Sequence, residues 1–546
     1  MRYRIQNIPL HLQEDEAVLV RRAADRLGVS PRALHGALVV RRSLDARKKG
    51  HPLWLVNVEV DLDGALRAVP DGVVPAPEPE PAPAPARRPE VTPIVLGAGP
   101  AGLFCAWALL ERGVPSVVVD RGKPVGPRRR DVATLMRDGS LDPESNMNFG
   151  EGGAGAYTDG KLGTRIHHPA VRTVVELFAR YGRVARILEE GKPHVGSDLL
   201  PAAISAMREA LERGGCTFVW GARAVDLELR DGRFRGLRLA DGRTLESDRL
   251  VLAPGNSARE LFELFAARGW PIEAKAFAAG FRVEHPQPLI DRIQYGMETR
   301  HPRLPPADYR LADNPRVAGA ARGVFSFCMC PGGVVVPTPT EAGLQCTNGM
   351  SNSRRSSPLA NAGLVVAVSP ADFAAEGFDG PLAGLAWQRR WEAAAFELGG
   401  GGYRAPAQRL AAYLAGAPGR PPGRTSYRPG VTPADLSGLY PQAMRDALRA
   451  AVRTFDRRMR GFVTDEAVLF GVETRTSSPC RLVRGEDFQS PALRGVYPCG
   501  EGAGYAGGIV SSAVDGLRIA GAICDELGPA PAVHAVPAPE ASRRPA

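Results

Sequence analysis

The chain has 546 residues and a formal net charge of +10. Apolar residues make up 44% and charged residues 23%, which excludes a wholly disordered, collagen-like or disulfide-framework protein and, at roughly 100–200 residues per domain, calls for several domains. The excess lies in Gly 62 and Pro 49, so the chain either carries low-complexity linkers or has many positions where the backbone must lack a side chain.

Residues 1–70 read as a small α/β domain. A strand at Tyr3–Ile8 leads to a helix with Ala17, Val20, Ala24 and Leu27 on one face, ending at Gly28. Ser30-Pro31 reads as the N-cap and first position of a second helix, followed by a basic run and the strand Leu53–Val60. Residues 71–90 (DGVVPAPEPEPAPAPARRPE) form a Pro-rich, semi-rigid linker, and 528–546 a disordered tail. Cations are mostly Arg and spread along the chain. The cluster Arg41, Arg42, Arg47, Lys48 and Lys49 is either a solvated face, a contact with the next domain, or a surface for an anion or RNA. Eight Cys lie scattered, without a CxxC pair. With no apolar leader and no run of about 18 apolar residues, the expectation is a reduced, cytoplasmic protein without membrane contact.

The texture changes at residue 91. Ile94-Val-Leu96 is a strand, Gly97-Ala-Gly99-Pro100-Ala101-Gly102 a Gly-rich turn opening a helix, and Val117-Val-Val119 a second strand ending at Asp120 and Arg121. This context turns a GxGxxG into a dinucleotide-binding fingerprint. Gly97 permits the tight turn, Gly99 admits a pyrophosphate to the backbone, and Gly102 lets helix pack on strand. The helix N-terminus offers free N–H groups and a positive dipole end to phosphate. Asp120 is placed for ribose hydroxyls and disfavours a 2′-phosphate, so FAD or NAD is expected rather than NADP.

Downstream segments favour FAD. Leu250-Val-Leu-Ala253-Pro254-Gly255 is a strand ending in a crossover turn, and the short strand at Val496 ends in Cys499-Gly500-Glu501-Gly502. Gly507-Gly508-Ile509 then opens a helix running to Leu527. A carboxylate at Glu501 would hold ribityl hydroxyls, and the helix N-terminus would face the flavin pyrimidine edge. With these features the chain resembles FAD-dependent oxidoreductases of the two-dinucleotide-binding superfamily, with Asp120 and Glu501 reversing the usual Glu and Asp. The segments FGEGGAGAYTDGKLGTR (149–165), GKPHVGSD (191–198), FRVEHPQ (281–287), FSFCMCPGG (325–333), NGMSNSRR (348–355) and GVETRTSSP (471–479) are similar to those of the bacterial NAD(FAD)-utilizing dehydrogenase family, and SLDARKK (43–49) to the hallmark of its N-terminal domain. The resemblance implies an FAD-dependent enzyme with a distinctive C-terminal region.

The loop Gly150-Glu-Gly152-Gly153-Ala154-Gly155 follows no apolar strand, so it is not a second Rossmann turn; it reads as a loop wrapping the FAD pyrophosphate and lying under the flavin, or else as a purely structural Gly loop. No further strand–turn–helix fingerprint occurs, so a nicotinamide donor would bind only transiently at the flavin. No catalytic residue is fixed by the sequence; the candidates are Lys161 beside flavin N5 or an anion, Cys328 and Cys330, His194 and Arg475. The Cys pair reads as redox-active, as strand packing, or as lining a substrate cavity. His194 reads as a general acid or a structural His, His285 likewise, and Arg475 as an anion clamp or an ion-pair partner.

The expected architecture is α/β: a Rossmann-type, doubly wound FAD-binding domain from residues 91–260 and 461–527, an inserted α+β substrate domain at 261–460, and the small N-terminal domain. The expected function is hydride transfer through flavin N5 between a donor, NAD(P)H among the options, and a small organic substrate. The alternatives are a flavin-dependent RNA-modifying enzyme using the 41–49 cluster and a non-enzymatic flavin redox sensor.

Overall fold

The computed structural model of the chain describes residues 1–66, 68–78, 83–417 and 421–530. The expected tail therefore lies outside the described residues from 531 on, as does 79–82 of the expected linker.

A five-stranded parallel sheet runs in the order Val496–Pro498, Leu250–Leu252, Ile94–Leu96, Val117–Val119, Thr217–Val219. Its central strands are continuous apolar runs, as a sheet covered on both faces requires. The helices Pro100–Glu111 and Ile509–Leu527 pack on each other closely: a Cβ at Gly516 would stand 2.1 Å from the Ala101 carbonyl oxygen. Successive strands are added on one side of Ile94–Leu96 and then on the other. The sheet thus switches direction at the strand that delivers Gly97, the place where open α/β sheets bind ligands. This is the expected Rossmann-type α/β architecture.

A meander of Ala224–Arg230, Arg233–Leu239 and Thr244–Glu246 turns at Asp231-Gly232 and Asp241-Gly242. The chain leaves through Ile272–Ala274 and returns through Cys480–Leu482, which pair antiparallel. Between them stands a seven-stranded, largely antiparallel sheet in the order Ala312–Asp313, Val324–Cys330, Leu359–Val368, Phe277–Pro286, Val468–Glu473, Ala405–Arg409, Val431–Pro433. The helices Ala383–Leu398 and Gln442–Arg458 belong to its apolar core.

Three boundaries differ from expectation. Val468–Glu473 is buried along its whole length between Phe277–Pro286 and Ala405–Arg409, so the chain rejoins the parallel sheet after about residue 480 rather than at 461. No second helix follows Ser30-Pro31. Ser30 caps a single 3-10 turn, Pro31–Ala33, after which Leu34–Asp45 is a strand pairing with Leu53–Leu62; Leu38-Val39-Val40 favours the strand. Val73–Pro75, placed in the linker, is the fourth strand of the N-terminal sheet and pairs with Tyr3–Ile5.

Candidate functional site

Four glycine-bearing segments far apart in sequence meet at the C-terminal end of the parallel sheet. Gly97 has φ 107, and a Cβ there would stand 2.1 Å from the Ala253 carbonyl oxygen, just before Pro254-Gly255. A Cβ at Gly102 would stand 1.8 Å from the Gly97 oxygen, so only Gly closes this strand–turn–helix. The Gly152 amide donates to Ala98 O at 2.8 Å, and Gly153 lies against Gly99. Gly155, after Ala154, lies against Pro100 and Ile509; Gly500 lies against Ala101, and Gly502 against Gly255. The structure therefore brings together the segments 97–102, 150–155, 253–255 and 500–509.

The carboxylate of Asp120 accepts the Ala98 amide at 2.9 Å and the Gly122 amide at 2.8 Å, one on each oxygen. It holds the Gly turn in shape and keeps a second lone pair on each oxygen. Arg121 is committed to protein, donating to Glu144 at 2.8 Å and lying over the Phe149 ring. Glu501 accepts from the Asn256 amide at 2.7 Å. Burial pushes its carboxyl up to about 7, against Asn256 and Lys275.

One residue that sequence reasoning missed builds the loop. The buried Arg128 guanidinium donates to four carbonyls: Asn146 at 2.9 Å, Glu151 at 2.6 Å, Met147 at 3.0 Å and Gly153 at 2.8 Å. Inside Arg128-Arg129-Arg130 it looks like solvated charge, and no local signal separates it from its neighbours.

The cradle fits an extended dinucleotide. Neither helix N-terminus, at Gly99-Pro100 or at Gly508-Ile509, has a side-chain cap or an acid in its first turn, so orphan amides are left for an anionic partner. A Cβ at Gly255, Gly507 or Gly508 would meet no atom within 4 Å. These are open positions beside closely packed glycines, as backbone contact with a ligand requires.

Next to the cradle lies a buried polar cluster bridging the 150–165 loop to the large sheet. Asp159 accepts from His194 Nε2 at 3.2 Å and from the Ser351 hydroxyl, and pairs with Lys161 Nζ at 2.7 Å. Burial works against this charge, but Lys161, His194 and Arg355 hold the Asp159 carboxyl below its usual range. Lys161 also donates to Cys330 Sγ at 3.7 Å, and its pKa is raised despite burial by Cys330, Cys328 and Asp159. Four of the sequence candidates, Lys161, His194, Cys328 and Cys330, thus belong to one network through Asp159, Ser351 and Arg282, which sequence reasoning did not single out.

Arg475 stands apart. It is bidentate on Glu392, at 3.0 and 2.8 Å, and gives its remaining nitrogen to Thr340 at 2.8 Å. Arg259 shares the same carboxylate at 2.8 Å. This is a buried ion pair clamping the large sheet to the parallel-sheet layer, with no guanidinium face left over. His285 is a core residue whose Nε2–H donates to Phe462 O, 2.8 Å away, and burial lowers its pKa to about 4. Three cations of the basic cluster have partners within the protein: Arg42 pairs with Glu16 and Glu189, the exposed Arg47 with Asp45, and Lys49 with Ile293 O. Among the described residues no helix is long and apolar enough to cross a membrane.

Residues 276–476 match the family described as FAD-dependent protein, C-terminal domain-like, and residues 2–61 match the domain of unknown function DUF8436. An uncharacterized protein of Clostridium beijerinckii (strain ATCC 51743 / NCIMB 8052) is 38% identical over 535 residues, covering 96% of this chain and 99% of the relative. Among solved structures, glycine oxidase from Bacillus cereus ATCC 14579 aligns over 80% of this chain and 95% of its own at 10% identity and a TM-score of 0.33. A mutant halogenase in complex with FAD aligns over 80% of this chain and 70% of its own, at 9% identity and a TM-score of 0.36.

Proposed function

This chain belongs to the family of FAD-dependent proteins defined by that C-terminal domain, and we propose that it is a dehydrogenase passing hydride, by way of flavin N5, between a donor such as NADH or NADPH and a small organic substrate. The C-terminal domain family supports a flavin-dependent redox enzyme. The observation that carries it is the cradle, where two uncapped helix N-termini converge with open glycine positions at Gly255, Gly507 and Gly508.

In this reading the amides of Ala101 and Gly102, aided by the helix dipole, take the pyrophosphate. The 152–155 loop, tied down by the Gly152–Ala98 hydrogen bond, would flank it. Asp120 offers its remaining lone pairs to ribose, and Glu501 to ribityl hydroxyls. The uncapped N-terminus of the helix beginning at Ile509 would offer its positive end to the flavin ring and would favour negative charge there. Bound FAD supplies a two-electron carrier that takes or gives hydride at N5.

The chain's own contribution on the substrate side is the Asp159 cluster. Lys161 presents a cation held by Asp159, suited to an anionic substrate group. The His194 ring, shared between Asp159 and Ser351 at 3.2 and 3.5 Å, can hold or deliver a proton. The RNA-modifying reading is disfavoured by the internal pairing of Arg42, Arg47 and Lys49.

The test is anaerobic addition of NADH and of NADPH to the flavin-loaded protein, followed by flavin absorbance. Bleaching by one nucleotide is expected. Flavin that neither nucleotide reduces would overturn the donor assignment and favour a redox sensor.

A further inference from the structure

The segment Cys328-Met329-Cys330 plays no part in the hydride path above. A regular strand would hold the two thiols apart on one face. Here Phe327 stands opposite Gly363 and Cys330 opposite Asn361, leaving two residues against one. This is a β-bulge, with Cys328 at φ 42, in the left-handed region that side chains rarely adopt. The bulge folds the segment back on itself, so that the Cys330 thiol donates to the Cys328 carbonyl oxygen at 3.3 Å and the two side chains lie beside each other.

Two cations frame the pair. Lys161 Nζ lies 3.7 Å from Cys330 Sγ, and Arg282 Nη2 lies 3.5 Å from the same sulfur. Arg282 is fully buried and fixed by Asn361 at 2.9 Å, Glu473 at 2.9 and 3.0 Å, and Cys328 O at 2.7 Å. Interaction with the neighbouring Cys330 thiol, with Lys161 and Arg282, holds the Cys328 thiol below its ordinary range against the opposing effect of burial; Cys330 is pushed up. By contrast Cys105, Cys346, Cys480, Cys499 and Cys524 are buried thiols that burial pushes up. Cys328 is partly exposed, and Lys161, six residues beyond Gly155 of the cradle loop, joins the pair to that loop through its contact with Cys330 Sγ at 3.7 Å.

We propose that Cys328 and Cys330 form a redox-active dithiol that exchanges an electron pair with FAD bound in the adjoining cradle. The inference rests on the FAD reading and adds a second redox centre to it. In the oxidising direction one S–S bond forms between Cys328 and Cys330, which give up two electrons and their thiol protons, and the oxidised flavin takes up both electrons and becomes reduced. In the other direction reduced flavin returns the pair, the S–S bond breaks, and both sulfurs are reprotonated. A bridge between cysteines so close in sequence is strained, and strained disulfides are the readily reduced ones. Thiolate character at Cys328 and a protonated partner at Cys330 suit the exchange.

The experiment uses full-length, flavin-loaded protein and two readouts. In the first, samples treated with diamide or with a reductant are alkylated and peptide-mapped; diamide is expected to protect Cys328 and Cys330 together as one linked peptide. In the reduced protein, Cys328 is expected to alkylate at least about tenfold faster than any other Cys at slightly acid pH. In the second, anaerobic reductive titration of the oxidised protein consumes four electrons per chain, two for flavin and two for the disulfide, and C330S consumes two. Fully flavinated wild-type protein that takes up only two electrons, with both thiols still free after diamide, overturns the proposal without touching the FAD reading. Protein that holds no flavin overturns the FAD reading and with it the exchange, an outcome visible in the absorbance spectrum before any thiol is mapped.

Discussion

Replacing Gly508 by Ala separates cofactor binding from folding. Gly508 precedes the Ile509–Leu527 helix at φ 174, an extended conformation open to any residue, and an added Cβ meets no protein atom within 4 Å. The apo protein should therefore tolerate Gly508→Ala and even gain ~0.4–1 kcal/mol from a less flexible unfolded chain. If that open space is where FAD lies, the methyl group overpacks a filled site at about 1–3 kcal/mol, equivalent to roughly 5–150-fold weaker FAD binding. Gly102→Ala is the opposite case: its Cβ would stand 1.8 Å from the Gly97 oxygen, so it should destabilise the fold itself. Urea unfolding of the apo proteins and FAD titration by flavin fluorescence quenching read the two quantities separately. Wild-type FAD affinity in Gly508→Ala, or a loss of apo stability in that variant, would refute the placement of the cofactor at this helix.

Three further outcomes are expected. Burial pushes the Glu284 carboxyl up to about 7 from 4.5, so the native state keeps a proton that the unfolded chain releases. Stability attributable to this group falls as pH rises from about 4.5 to 7, by ~3 kcal/mol, and is constant above that window; urea unfolding of Glu284→Gln across it should lack this decline, and parallel pH profiles would contradict the reasoning. Arg128→Met strands the carbonyls that hold the 146–153 loop and should cost at least ~3 kcal/mol; a loss below about 1 kcal/mol in the same assay would show that the loop holds itself. Arg475→Met leaves Glu392 with Arg259 as its buried cation and should cost about 1.5–3 kcal/mol, the loss of charge-assisted hydrogen bonds; unchanged stability with a raised substrate KM would make Arg475 a substrate ligand instead.

The strand–turn–helix at 94–120 was legible because its signals are local: apolar strand, spaced glycines, acidic strand end. The glycines at 150–155, 253–255 and 500–509 were legible as residue type, since backbone contact leaves that mark wherever it occurs. Features made by distant segments were not. Asp159, His194 and Ser351 are separated by up to 192 residues, and nothing near any one of them names the others. Cys328 breaks the alternation of its strand through a bulge that Phe325-Ser-Phe-Cys-Met-Cys330 does not advertise. After Ser30-Pro31, tertiary pairing with Leu53–Leu62 outweighed a genuine helix-start signal, leaving one 3-10 turn. The VLFGVE run at 468–473 reads equally as a strand of either sheet, and only the strands it joins decide between them.

The most direct test of the account is the FAD content of the full-length protein, measured by releasing bound flavin from purified or FAD-reconstituted material and quantifying it against protein. One FAD per chain is the predicted result. Protein that neither retains flavin nor takes it up would contradict the assignment of the cradle, and with it the redox function built upon it.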